Sequence, residues 1–126
     1  MRVLVFGTFD RLHPGHEFLL REAKKRGELT VVIARDTTVK QLKGREPVQG
    51  EKERCRAVQA VIPEANVLLG DQNDFRKPLQ EVRPDCVLLG YDQKLPPGVS
   101  PDDLPGKVER LPAFEAGTYK SSLQRQ

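Results

Sequence analysis

The sequence predicts an α/β fold built on one parallel five-stranded sheet with helices on both faces. Two observations carry this. Short apolar runs of strand length alternate along the chain with segments whose apolar residues recur at helical spacing. Glycine, proline or a polar cluster separates each run from the next. That alternation implies parallel strands joined by right-handed crossovers. For five strands we expect the order 3-2-1-4-5, the Rossmann-like doubly wound arrangement, with its ligand crevice at the carboxyl ends of the strands near the first.

The elements follow in order. Arg2–Phe6 reads as the first strand and Pro14–Arg26 as the first helix, ended by Gly27. Leu29–Ala34 is the second strand, β-branched and apolar on both faces. Thr37–Gly50 is polar and basic and reads as a loop. Glu51–Ile62 is the second helix, stopped by Pro63, and Val67–Leu69 the third strand. Phe75–Val82 is the third helix, Cys86–Leu89 the fourth strand and Lys107–Leu111 the fifth. A proline-rich stretch, Leu95–Pro105, precedes that last strand, and Gly117–Gln126 forms a tail.

The 126 residues suit a single domain, 1–126, with one core. A net charge of +3 suits a small anionic substrate. No apolar run approaches the roughly 20 residues of a membrane span, and no signal peptide is expected. Cys55 and Cys86 lack C-x-x-C pairing and read as reduced thiols, so a cytoplasmic protein is expected. Neither the dinucleotide fingerprint nor the P-loop pattern is present, which disfavours dehydrogenase and P-loop kinase readings.

The chemistry concentrates between the first strand and first helix, in Gly7-Thr8-Phe9-Asp10-Arg11-Leu12-His13-Pro14-Gly15-His16. Gly7 permits close approach of backbone to a ligand, and Pro14 suits the first helical turn. The N–H groups of that turn would form an anion site. Taken singly, a histidine here reads as a helix cap or a solvated side chain. Both histidines of the chain, His13 and His16, lie on this one turn, which points to phosphate binding.

At these residues the sequence resembles the signature of the cytidylyltransferase-like nucleotidyltransferases, which transfer a nucleoside monophosphate from a triphosphate to a phosphate-bearing acceptor. The resemblance implies that His13 and His16 donate hydrogen bonds to the triphosphate, with Gly7, Thr8, Phe9, Asp10, Pro14 and Gly15 around it. It implies Mg2+ or another divalent cation, held mainly by substrate phosphates with no metal cluster of the protein's own. Arg54 would be a catalytic phosphate clamp, its planar fork suited to the task. Arg35, Asp36, Lys40 and Lys43 would face the acceptor or its phosphate, although a charge run of this kind also reads as a solvated face. Gly90 and Asp92 match the family's nucleoside turn. Ser121 and Ser122 match its terminal phosphate-binding turn, here on a very short last element. Phe114 and Tyr119 offer rings for a flavin or base, or for the core.

Two branches of the family compete. Ala34-Arg35-Asp36-x-Thr38-Val39-Lys40, Gly90-Tyr91-Asp92-Gln93 and Lys120-Ser121-Ser122 resemble the archaeal FAD synthase branch, which adenylylates FMN with ATP. Glycerol-3-phosphate cytidylyltransferases, which use CTP, are the alternative. A nucleotide-binding dimer without turnover is a second alternative. The resemblance also implies a homodimer, and neither nucleic acid nor membrane is expected as a partner.

Overall fold

A computed structural model of the chain describes residues 1–71, 74, 76–90, 93, 95, 99–100 and 106–112. The elements run β1 (Arg2–Gly7), α1 (Pro14–Arg26), β2 (Glu28–Ile33), α2 (Asp36–Lys43), α3 (Glu51–Val61), β3 (Asn66–Leu69), α4 (Lys77–Val82), β4 (Cys86–Leu89) and β5 (Lys107–Arg110). Every strand pairing is parallel, in the order β3-β2-β1-β4-β5. This is the expected order. Each strand is followed by a return to the same sheet edge, so all five carboxyl ends meet on one rim.

The pleat explains how one strand serves two layers. Val3 and Val5 of β1 join α1 and α3 on one face, through Leu20, Ala23 and Val58. Leu4 and Phe6 point the other way, toward Leu79 of α4, with Val87 and Leu89 of β4. Val3, Leu4 and Val5 are fully buried, as befits a strand covered on both sides. Cys55 and Cys86 are both free thiols, Cys86 buried and Cys55 partly so.

Helix α2 departs from the sequence expectation of a loop over Thr37–Gly50. Thr38 and Val39 turn inward and are buried. Its N-cap residue, Arg35, makes no side-chain cap. The N–H of Asp36 instead donates to Glu51 Oε1 at 2.8 Å, so the start of α3 caps the start of α2. Gly44 ends α2 in the left-handed conformation, φ 72°, with its N–H on the carbonyl of Lys40. Two turns of helix written in polar residues leave too weak a period to read from sequence.

Candidate active site

The α1 entry is built by His13. It is the N-cap, extended at φ −134°, and its Nδ1 accepts the N–H groups of Gly15 at 3.1 Å and His16 at 3.3 Å. His16 Nδ1 in turn accepts the N–H of His13 at 3.4 Å. The pair is therefore a capping box made of two imidazoles. This corrects one expectation: the first-turn N–H groups of Gly15 and His16 are not open to an anion, because His13 already takes them. The acceptor role of each Nδ1 leaves Nε2 as the donor nitrogen of each ring. The positive end of α1 thus acts through the His13 ring, which offers its Nε2–H as a donor.

The rings stack at 3.6 Å between centroids, 20° from parallel, and Phe9 meets His16 edge-on at 5.3 Å. Burial, then the charges of His13 and Lys43, push the His16 pKa down to about 4 from its ordinary 6.5. At neutral pH His16 is an uncharged donor.

Phe9 also explains Gly7. A Cβ on Gly7 would lie 2.3 Å from the Phe9 ring, so the glycine makes room for a side chain of the motif itself. Phe9 and Arg11 both have left-handed backbones, φ 54° and 56°. Such conformations cost about 1–2 kcal/mol each outside glycine and persist only when neighbours enforce them. The enforcing contacts come from the segment after α2. Asp10 accepts the N–H groups of Val48 at 2.8 Å and Gln49 at 2.9 Å, and Arg11 donates its N–H to Gln49 Oε1 at 2.8 Å. Desolvation alone would raise the Asp10 pKa. Those two backbone bonds and the charges of Arg54 and Arg11 outweigh it and hold the carboxyl below its ordinary value.

Arg54 is the principal correction. The resemblance places it on the phosphates, but its side chain is 0% exposed. Its Nε donates to Gln49 O at 3.0 Å and its Nη1 to Thr8 O and Ala34 O, both at 2.8 Å. Its Nη2 meets Asp36 Oδ1 at 2.7 Å. The guanidinium binds protein, not ligand, and ties three segments of the rim together. Asp36 is likewise spent on Arg54. Lys40 lies on the solvent side of α2 and pairs with Glu46 at 3.5 Å.

A cavity of about 960 Å³ opens over the carboxyl ends of the strands. Gly7, Thr8, Phe9, Asp10, His13, Gly15 and His16 line it. Pro14 holds the first position of α1 and is exposed. Gly90 lines one side with Gln93, whose side chain accepts the Gly90 N–H at 3.1 Å and donates to Phe6 O at 2.7 Å. Arg35 and Lys43 line the other side. Arg35 is steadied by Gly70 O at 2.6 Å and by Glu51 at 3.8 Å. Asp92, Phe114, Tyr119, Ser121 and Ser122 lie outside the described residues.

Reading the sequence misses Arg11, Leu42 and Val48 as further lining residues, and Arg45, of the same basic run as Lys40 and Lys43, also lines the cavity. Arg11 and Arg45 were open to inference from their places in the motif and the basic run. Leu42 becomes visible only once α2 is known, one turn beyond the lining residue Thr38.

The Cytidylyltransferase-like family model matches residues 4–110. The chain is 41% identical over 130 residues to the FAD synthase of Archaeoglobus profundus, covering 98% of this chain and 83% of that protein. With the FAD synthase of Aciduliprofundum boonei it shares 48% identity over 95 residues, 75% of this chain and 63% of that one. The crystal structure of the lipopolysaccharide core biosynthesis protein from Thermoplasma volcanium superposes with a TM-score of 0.79 at 35% identity, over 91% of this chain and 98% of that one. The paired-imidazole turn at the rim of a 3-2-1-4-5 sheet and these matches agree, and the chain belongs to the cytidylyltransferase-like nucleotidyltransferase family, among relatives named FAD synthase.

Proposed function

We propose that the protein transfers AMP from ATP to FMN, forming FAD and pyrophosphate. The observation that carries this reading is the cavity. The paired imidazoles line it together with Gly90 and Gln93 at the β4 side and Arg35, Lys43 and Val48 at the β2 and α2 side. At about 960 Å³ it sits at the top of the range of roughly 300–1,000 Å³ for small-molecule sites. That suits two bulky substrates better than a nucleotide and glycerol phosphate.

A terminal phosphate oxygen of FMN attacks the α-phosphorus. The bond from that phosphorus to the oxygen bridging to the β-phosphate breaks, and pyrophosphate leaves with the electron pair. Charge grows on oxygens within reach of donors on the rim, so the protein's share is positioning and electrostatic stabilisation. His13 and His16 supply Nε2–H donors, that of His16 from a ring uncharged at neutral pH. Among the described residues no group of three His, Cys, Asp or Glu could hold a metal ion. The lining carboxylates are engaged, Asp10 by two backbone N–H groups and Asp71 by Asp74 N and Lys77. A divalent cation held on the triphosphate would offset oxygen charge. A homodimer belongs to the same proposal, and light scattering reads it.

The test is product analysis with ATP plus FMN and, separately, CTP plus glycerol 3-phosphate. FAD with stoichiometric pyrophosphate supports the reading. CDP-glycerol without FAD moves the protein to the cytidylyltransferase branch, and nucleotide binding without turnover in either mixture makes it a binder.

A further inference from the structure

We propose that Leu42 and Val48 form the apolar wall on which the planar tricyclic ring of the acceptor packs, an assignment that rests on the FMN reading above. Among the described residues, the large hydrophobics exposed to solvent are Met1, Leu42, Val48, Leu68 and Val108. Single exposed aliphatics need no explanation. Leu42 and Val48, at 56% and 63% exposed, are the two of these that line one and the same cavity. They come from different elements and converge on the side away from Gly90.

Both are held in place. Leu42 lies one turn beyond the buried Thr38 on α2, so the helix aims it along the cavity face. Val48 is fixed through its N–H, 2.8 Å from Asp10 Oδ2, and the same carboxylate holds Gln49. Through the Val48 backbone the wall is tied to the motif that carries the imidazoles.

The charges beside the wall complete the match. Lys43 and Arg45 flank it within the same cavity, and the charge of Lys43 is felt at His16. An acceptor with its phosphate near Lys43 and His16 would extend its other end toward Leu42 and Val48. A polyol ending there would gain nothing from two aliphatic side chains. A broad flat ring would cover them and remove apolar surface from water on both partners.

The test is direct titration of FMN, followed by its own fluorescence, without ATP. Wild type is compared with Leu42→Ser, Val48→Ser and the conservative Leu42→Met. Both positions are exposed, so fold is preserved, and thermal midpoints check this. Each serine variant should weaken FMN binding on the order of tenfold, the scale of discrimination that small apolar contacts supply. Leu42→Met should bind as wild type, and ATP affinity should stay at the wild-type value in all variants. Wild-type protein that binds FMN, with both serine variants at full affinity, overturns the wall alone. Wild-type protein that binds no FMN overturns the acceptor reading itself, and the wall with it.

Discussion

Two stretches build the rim by opposite means. From Gly7 to His16, the residues that meet the cavity are nearly contiguous, and the chain bends back on itself to present them. From Arg35 to Arg54, charged residues of similar appearance separate into three environments. Lys43 and Arg45 line the cavity, Lys40 faces solvent, and Arg54 is buried among carbonyls. The first stretch presents its residues to the cavity in sequence, and the second braces it through Arg54 and the Val48–Gln49 backbone. Positive charge is not itself a sign of substrate contact, because a guanidinium can satisfy backbone acceptors as readily as phosphate.

The sharpest way to break this division is at Arg54. Arg54→Ala leaves Asp36 and the carbonyls of Thr8, Ala34 and Gln49 without their donor. Asp36, 37% exposed, can turn to water, but each backbone acceptor left unsatisfied costs about 1–3 kcal/mol, read as a fall in the urea midpoint. Arg54→Lys should restore only part of this, since one ammonium cannot reach four acceptors spread around a planar fork. A stable, fully folded alanine variant would return Arg54 to the ligand. His13→Ala and His16→Ala should do the reverse, losing roughly 10²–10³ in turnover, the scale of one oxyanion donor. Wild-type rates in both would remove the imidazoles from the reaction.

The pH dependence sharpens the same contrast. His16 titrates near 4 in the folded protein and near 6.5 unfolded, so the unfolded chain takes up this proton first as pH falls. Its contribution to stability is complete above about 6.5 and drains away between 6.5 and about 4. The ring resonances of His16 in an NMR titration should move only near the lower limit. A midpoint near 6.5 would mean that the ring is solvated. The smallest effect belongs to Lys40→Ala, within about ±0.5 kcal/mol of wild type in stability. Its FMN affinity should also be unchanged, whereas Lys43→Ala should weaken FMN binding in the same titration.

The sheet order was legible because the first four strands carry distinct apolar runs and each break is marked by glycine, proline or charge, whereas β5, Lys-Val-Glu-Arg, is mostly polar. The motif turn was legible because its residues are neighbours in sequence. Arg54 was not: in Glu-Lys-Glu-Arg-Cys-Arg nothing in the line of letters distinguishes the arginine that turns inward, and its acceptors are backbone carbonyls from other segments. Helix α2 escaped for want of length. The left-handed backbone of Phe9 escaped because it is braced from outside the motif, by the Val48–Gln49 segment bound to Asp10. Leu42 and Val48 escaped because an exposed aliphatic acquires meaning only beside a cavity.

The buried guanidinium also sets an order of assembly. It joins carbonyls 46, 20 and 5 residues away from it along the chain. The most distant of these contacts can close only after β1, β2 and α3 have come together, with the loop entropy between them already spent. The sheet can therefore exist before the rim does, and mild denaturant should release the rim first. Amide exchange at Val48 and Gln49 should then outpace exchange in β1 and β2. A half-folded chain would carry its paired histidines without the frame that aims them, so the chemistry arrives only with the last step of folding.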